Sequence, residues 1–213
     1  AMGFLVESLR DRGVEAEGVD VSDYAVSEAR EDVRPHLRVG SILEPLPATW
    51  DVITCIEVLE HLPADDVGVA IANLCAATDD ILLSTTPREY AEATHVNVRP
   101  PEYWAELFLR QDFVHDVEYD LSYISPWAMR FRRRRDPLSR QIVVMERELW
   151  RLREEKGVRD RLILEQAGEL PKVESLTEER DLLSKERDLL STEAQRLGLD
   201  LRDCDMQLRS ALR

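Results

Sequence analysis

Residues able to bind a small molecule and exchange a proton occur together in the segment WDVITCIEVLEHLP, residues 50–63. The segment begins with an apolar predicted strand, residues 52–56, and Pro63 can open the helix that follows. Ligands of an open parallel sheet bind outside the carboxyl ends of its strands. Glu57 and His61 stand at that position, so the segment predicts a small-molecule site as well as part of a core.

A second candidate for ligand binding, Asp20, ends an earlier predicted strand. A carboxylate there can accept hydrogen bonds from both hydroxyls of a ribose, and a turn or helix cap is the structural alternative. Gly3 precedes the first helix, where it would let a ligand approach the backbone at the helix N-terminus. Ser41 and Ile42 follow a third strand, where they could border a flat base or form an ordinary turn.

Alternating strands and helices would position these residues. Apolar spacing and capping residues predict helices over residues 4–13, 22–33, 64–77 and 100–109, and strands over 14–20, 37–39, 52–56 and 81–85. Residues 113–119 and 122–131 predict a closing strand pair with antiparallel character, after a loop over 88–98. The alternation predicts an α/β fold, with a parallel sheet, helices on both faces and right-handed crossovers.

Composition excludes several classes of function. The chain has 213 residues, 44% of them apolar, and a net charge of −15, so we expect a real core and no nucleic-acid partner. Cys55, Cys75 and Cys204 show neither metal-ligand spacing nor a disulfide framework, which is typical of a reducing compartment, and no metal is expected. No apolar run is long enough for a transmembrane segment and no signal peptide is visible, so the expected location is the cytoplasm.

Three segments carry a family resemblance. They resemble the successive motifs of class I S-adenosylmethionine-dependent methyltransferases, and in chain order they are GFLVESLRDRGVEAEGVDVSDYAV, VGSILEPLP and WDVITCIEVLEHLP. They are most similar to the small-molecule methyltransferase domain whose fourth strand ends in Glu-His-Leu. The resemblance covers roughly residues 1–132, and it implies a seven-stranded Rossmann-like sheet that binds S-adenosylmethionine.

The resemblance implies a set of cofactor-binding positions. Asp20 resembles the acid that binds the ribose, and Gly3 resembles the last glycine of the glycine-rich loop. Ile42 would pack on the adenine, next to Ser41, which stands where the family often has an aspartate. The remaining positions resemble the residues that pass the methionine moiety of the cofactor: Cys55, Ile56 and Glu57.

The resemblance also implies that the chain is truncated at its start. The family's first strand and most of its glycine-rich loop would precede Ala1, and that strand is central in the sheet. We therefore expect the first strand to be missing from this sheet, and we expect the chain alone to be inactive.

Two histidines are the candidate catalytic residues. The family's reaction is an in-line methyl transfer in which the protein mainly positions the reactants, and a base is needed only where the acceptor must lose a proton. His61 follows the cofactor loop, and His95 lies in THVNVRPPEYW, a loop over the expected pocket. Histidine titrates near working pH. His95 and Asn97 would form a substrate-facing strip, and both histidines have structural roles as alternatives.

The last third of the chain has the pattern of a coiled coil. ERDLLSK and ERDLLST are near-identical seven-residue repeats over 179–192. The predicted seam is Leu176, Leu183, Leu190 and Leu197, continued by Ala194, Leu201, Cys204, Leu208 and Ala211, with Arg180 and Arg187 as polar seam positions. A capping box at residues 175–178 predicts a fresh helix after a break at Pro171. The predicted domains are a methyltransferase domain over 1–135, a helical linker over 136–174 and an oligomerising coiled coil over 175–213.

A run of arginines precedes the helical part. Its members are Arg130, Arg132, Arg133, Arg134 and Arg135. Such a run is either a solvated strand end or a patch for an anionic lipid, glycan or phosphate.

The function predicted from these patterns is methyl transfer to a small-molecule or glycan acceptor. A methyltransferase domain joined to a coiled coil resembles bacterial enzymes of surface-polysaccharide assembly. One alternative is a noncatalytic interaction protein in which the coiled coil acts and the Rossmann-like head is degenerate. Another is a nicotinamide-dependent oxidoreductase, since Asp20 also suits NAD, although EVLEHLP and the lack of a dehydrogenase-like Tyr-Lys pair count against it.

Overall fold

The computed structural model describes residues 2–211, and within that range it describes side chains except at 168–174, 194 and 197–211. Strands and helices alternate as predicted. In chain order they are α1 (Phe4–Arg10), β1 (Gly18–Asp20), α2 (Asp23–Ser27), β2 (Leu37–Val39), β3 (Ile53–Ile56), α3 (Ala64–Ala77), β4 (Asp80–Ser84), α4 (Pro101–Leu109), β5 (Phe113–His115), β6 (Met129–Arg133) and α5 (Leu138–Ala211).

The strands form a Rossmann-like arrangement in two hydrogen-bonded groups. β1 pairs with β2 in parallel, and a four-stranded sheet has the order β3-β4-β6-β5. β3 and β4 are parallel, whereas β6 runs antiparallel to both of its neighbours, which confirms the predicted closing strand pair. Within the described residues β1 and β3 do not pair with each other, so the strands form two groups and not the full seven-stranded sheet of the family.

The main core lies between the four-stranded sheet and the two longer helices of the domain. α3 contributes an apolar face, and α4 contributes Trp104 and Phe108, both completely buried. The ring of Phe108 stacks on Phe131 of β6 with centroids 4.1 Å apart. A smaller cluster of Val6 and Val33 packs beneath α1. Burial of these apolar side chains is the main force that holds the carboxyl ends of β3 and β4 in place.

Several elements are shorter than predicted. The strand over 14–20 is reduced to Gly18–Asp20, and the helix over 22–33 ends at Ser27. Ser22 caps this helix as predicted, since its Oγ accepts a hydrogen bond from the Ala25 amide. Pro35 then follows in a 3-10 turn, and a proline disfavours α-helical geometry at the residue before it. The two closing strands contract to β5 and β6 for lack of facing partners beyond those residues.

The arginine run is neutralised by acidic neighbours. Each arginine forms an ion pair: Arg130 with Asp80 and Asp116, Arg132 with the same two residues, Arg133 and Arg135 with Asp79, and Arg134 with Asp112. The interpretation as an anion-binding patch therefore loses support, because these positive charges are already paired within the fold.

The carboxyl-terminal part is one helix, α5. The predicted break at Pro171 and the fresh helix at Ser175 were wrong, since α5 continues from Leu138 to Ala211. A proline inside a helix removes one hydrogen bond, but the strong helix formers on both sides of it favour continuation. The seam positions Ala194, Leu197, Leu201, Cys204, Leu208 and Ala211 lie outside the described side chains, and the coiled coil stays a prediction.

Two compact units divide the chain, Ala1–Glu148 and Leu149–Arg213. In the part of the chain that the structure describes, we find no helix with both the length and the hydrophobicity to cross a bilayer.

Candidate functional site

The carboxyl ends of β3 and β4 meet at Glu57. Its backbone has φ 51°, a left-handed conformation that a non-glycine residue rarely adopts. The strained residue is held from two sides. Its amide donates a 2.8 Å hydrogen bond to the Ser84 carbonyl, while Ser84 Oγ and Trp127 Nε1 donate to its Oε1. Backbone strain of this kind is concentrated at functional sites, where the surroundings enforce it.

Glu60 lies behind Glu57 in a 3-10 turn and is completely buried. Its backbone carbonyl accepts a 2.9 Å hydrogen bond from the Asn97 amide, and its Oε1 accepts a long one, 3.4 Å, from the Thr86 amide. Burial, together with the neighbouring Glu57, raises the pKa of Glu60 to about 7. Burial also opposes ionisation of Glu57, but hydrogen bonds from Glu60, Ser84 and Trp127 hold its pKa below the ordinary value.

The two candidate catalytic histidines come together beside these carboxyls. The rings of His61 and His95 are in edge contact, with centroids 4.7 Å apart. His61 Nδ1 lies 3.1 Å from the Thr94 carbonyl, and His95 Nδ1 lies 2.9 Å from the Glu89 carbonyl. A carbonyl oxygen only accepts, so each Nδ1 is the protonated nitrogen and each neutral ring keeps its lone pair on Nε2.

The predicted cofactor residues of the first half show local structural roles. Asp20 Oδ1 accepts a 2.8 Å hydrogen bond from the Ser22 amide, and Ser41 Oγ accepts one of 3.1 Å from the Leu43 amide. Gly3 has φ 75°, and a Cβ there would lie 2.6 Å from Leu37 Cδ1. Backbone conformation and packing therefore require the glycine at position 3. Turn formation accounts for at least one hydrogen bond of Asp20 and one of Ser41.

The later cofactor candidates differ in accessibility. Ile42 packs against the main core, and its carbonyl accepts a hydrogen bond from Asn73 Nδ2. Cys55 is buried in that core, which raises the pKa of its thiol to about 12 and leaves only its backbone for a ligand. Ile56 is 37% exposed at the end of β3. Two further apolar side chains, Val21 just after β1 and Val39 at the end of β2, are also exposed.

Sequence reasoning missed part of this cluster. Ser84, Trp127 and Glu60 were not candidates, although Glu60 belongs to the EVLEHLP motif that carried the resemblance. Asn97, predicted to face the substrate, is buried, and its Oδ1 accepts a hydrogen bond from Arg99 Nε. A carboxylate just beyond a predicted strand end was the one available signal, with Glu57 one position and Glu60 four positions past residue 56.

Two of the buried polar atoms that lack a partner belong to this region, Glu60 Oε2 and Asn97 Nδ2. Within the described residues, four buried side-chain atoms have no hydrogen-bond partner: Glu60 Oε2, Thr85 Oγ1, Asn97 Nδ2 and Trp104 Nε1. Buried polar groups are nearly always satisfied in folded proteins, so these atoms indicate a ligand or bound water. Together with the exposed apolar side chains at the strand ends, they fit a cofactor that carries both polar and flat apolar parts.

Comparison with known proteins finds methyltransferases that this chain resembles. Residues 1–78 match the family described as "Methyltransferase domain". The ubiquinone biosynthesis O-methyltransferase of Idiomarina loihiensis is 30% identical over 82 residues, covering 35% of this chain and 32% of that protein. The enzyme of the same name from Methylococcus capsulatus is 26% identical over 136 residues, covering 59% of this chain and 56% of its own. The chain thus spans only about a third to a half of these relatives' length.

A solved structure shares the fold. Magnesium protoporphyrin IX methyltransferase from Synechocystis, with bound S-adenosylhomocysteine, superposes with a TM-score of 0.52 over 62% of this chain and 70% of its own. Identity is 16%, so this likeness concerns the fold alone. The family match over residues 1–78 and the shared fold support the resemblance of the amino-terminal domain to class I S-adenosylmethionine-dependent methyltransferases.

Proposed function

We propose that this protein transfers a methyl group from S-adenosylmethionine to an oxygen of a small-molecule acceptor. The observation that carries the proposal is the cluster of Glu57, Glu60, His61 and His95 at the carboxyl ends of β3 and β4, inside a methyltransferase domain. Relatives named ubiquinone biosynthesis O-methyltransferases support an oxygen acceptor. Among such acceptors we favour the hydroxyl of a sugar or glycan, as in surface-polysaccharide assembly.

The cofactor would supply an electrophilic methyl group on a sulfonium. The chain's own residues would bind and orient the reactants. Asp20 would accept hydrogen bonds from the ribose hydroxyls, with Gly3, Ser41 and Ile42 nearby along the strand ends. The backbone of Cys55 with Ile56 and Glu57 would border the methionine moiety. The C–S bond breaks as the C–O bond forms, and the acceptor's proton leaves with assistance from His61 and His95.

The long helix would add a second function, self-association. Leu176, Leu183 and Leu190 of α5 are between 56% and 65% exposed in the single chain. Exposed leucines seven residues apart favour burial against a second copy. We propose a homo-oligomer through this seam, which would hold several methyltransferase domains on one assembly.

Calorimetric titration with S-adenosylhomocysteine tests the cofactor site. Because the chain spans only part of its relatives' length, the titration uses this chain and a form extended by upstream residues. Asp20→Asn keeps an oxygen for the Ser22 amide but removes the charge, so we expect about a tenfold weaker affinity, which corresponds to about 1.4 kcal/mol. Asp23→Asn, an exposed residue of the same turn, is the matched control and should leave affinity unchanged.

Acceptor identity is tested after binding. Transfer of labelled methyl groups to sugars and to hydroxylated aromatic compounds would identify the acceptor class. If S-adenosylhomocysteine binds to neither form of the chain while both forms are folded, the enzyme proposal is overturned. That result would favour the noncatalytic coiled-coil protein.

A further inference from the structure

The same edge of the sheet brings three metal-ligating side chains together. Glu60, His61 and His95 each offer one ligand atom, and these atoms all lie within 4.8 Å of one another. Two ligands that are each about 2.1 Å from one metal ion are at most about 4.2 Å apart. Small side-chain rotations would therefore close the three atoms around a single ion.

Hydrogen bonds orient both imidazoles for coordination. Each ring holds its Nδ1 proton against a backbone carbonyl, that of Thr94 for His61 and that of Glu89 for His95. This arrangement leaves the lone pair on Nε2 of each ring. Metal-ligating histidines typically donate their other ring N–H to a carbonyl or carboxylate, which fixes the tautomer and the ring orientation. The two carbonyls thus have the position of outer-shell partners.

The carboxylate supplies an independent observation. Glu60 is completely buried, and its Oε2 receives no hydrogen bond from any described group. A buried carboxylate oxygen is seldom left without a partner. The adjacent Glu57 accepts a hydrogen bond from a protonated Glu60 and offers that oxygen no donor when ionised. A cation at this point would bind the oxygen in place of that shared proton.

We propose that Glu60, His61 and His95 bind a divalent transition-metal ion. Two imidazole nitrogens and one carboxylate oxygen suit Zn²⁺ or a related first-row ion, and they leave a coordination position open. His61 is exposed, so the open position can be reached from solvent. Sequence patterns did not indicate this site, because only Glu60 and His61 are neighbours in the chain.

The metal would specify how the acceptor loses its proton. A divalent ion lowers the pKa of a bound hydroxyl and orients it. In this form the two histidines would act as ligands, the bound hydroxyl would release its proton to solvent, and its oxygen would attack the methyl group. This use of the site rests on the proposed methyl transfer, whereas metal binding itself does not.

Binding of Co²⁺ and Zn²⁺ to the full chain tests the proposal. Cys204→Ser is introduced as background, so that this thiol cannot supply a ligand. We expect one equivalent of Co²⁺ with visible absorption bands, displaced by Zn²⁺, and a melting temperature that rises with Zn²⁺ concentration. His61→Ala, His95→Ala and Glu60→Gln should each weaken affinity by ten- to a hundred-fold. His36→Ala, a histidine outside the cluster, should leave affinity unchanged.

Two results would overturn the metal site. One is absence of Co²⁺ absorption and of Zn²⁺ binding up to millimolar concentration in the folded chain. The other is unchanged affinity in the folded His61→Ala and His95→Ala variants. Titration with S-adenosylhomocysteine on the same samples separates the two proposals. If the chain binds S-adenosylhomocysteine but no metal ion, the methyltransferase proposal stands and the metal site is excluded. If it binds metal but no S-adenosylhomocysteine, the metal site is supported and the proposed methyl transfer is excluded.

Discussion

The indole Nε1 of Trp127 donates a 3.1 Å hydrogen bond to Oε1 of Glu57, the residue that ends β3 in a left-handed conformation. This contact links the segment before β6 to the strained turn at the candidate site. The backbone amide of Glu57 is already bound to the Ser84 carbonyl of β4, and Trp127 adds a donor to the side chain of the same residue. The geometry of the site therefore depends on the closing strand pair.

Trp127→Phe should lower the free energy of unfolding of the domain by about 1.5 to 3 kcal/mol. The substitution keeps an aromatic ring but removes the donor from a partly buried carboxylate, and hydrogen bonds to charged groups contribute in that range. Urea unfolding measures the change. Trp150→Phe, at a position that is 61% exposed, is the control and should change stability by less than about 0.5 kcal/mol. Equal losses in both variants would contradict a specific role for the Glu57 contact.

Arg130→Met should lower the free energy of unfolding by roughly 2 kcal/mol. Arg130 pairs with Asp80 across β6 and β4, with side-chain exposures of only 19% and 14%, and its removal leaves a poorly solvated carboxylate without its partner. Arg135, whose side chain is 75% exposed, pairs with Asp79 at the surface. Arg135→Met should therefore stay within about 0.5 kcal/mol of the parent. Equal losses in the free energy of unfolding for Arg130→Met and Arg135→Met would contradict a larger role for the less exposed ion pair.

His115 should make the domain sensitive to mild acid. Burial lowers its pKa below 6.5, with Asp116 opposing the shift. The unfolded chain then binds the proton more readily, so stability is complete above about pH 6.5 and falls as the pH decreases through the folded-state value. The loss cannot exceed about 1.4 kcal/mol per pH unit. Unfolding at pH 7.5 and 5.5 should show a smaller difference for His115→Gln than for the parent, whereas His36→Gln should match the parent.

Gly3→Ala should destabilise more than Gly13→Ala. Both glycines have positive φ, 75° and 79°, so both variants incur about 1 to 2 kcal/mol of backbone strain. Only at Gly3 would the new Cβ meet Leu37, whereas nothing lies within 4 Å of such an atom at Gly13. Urea unfolding of both variants isolates the packing contribution. Adding Leu37→Ala to each variant should narrow the gap between them, and an unchanged gap would exclude Leu37 as its cause.

Leu183→Glu combined with Leu190→Glu should abolish self-association. These residues occupy the predicted seam, where charge disfavours burial against a second copy. Leu182→Glu with Leu189→Glu changes neighbouring leucines outside the seam, at 68% and 71% exposure, and serves as the control. Sedimentation analysis reports the mass of each form. A monomeric parent, or equal disruption by both pairs, would contradict the coiled-coil proposal.

Local patterns in the sequence determined most of the helices and the order of the elements. The bounds of α3, Ala64–Ala77, follow from its apolar spacing and from Pro63, and α4 follows from Pro100 and Pro101 in the same way. These features act within a few residues, where periodicity and backbone restriction are sufficient. The family motif likewise placed Glu57 and His61 at a strand end before any packing was known.

Only the tertiary structure decided which side chains meet. Three features depend on segments that the core brings together. They are the contact of His61 with His95, the pairing of the arginine run with aspartates, and the unpartnered Glu60 Oε2. Strand lengths were decided in the same way, since a strand extends only as far as its partner. Such contacts join residues distant in sequence, and no local periodicity encodes them. The sequence alone therefore determined most of the elements and the family resemblance, and packing determined which side chains meet at the site.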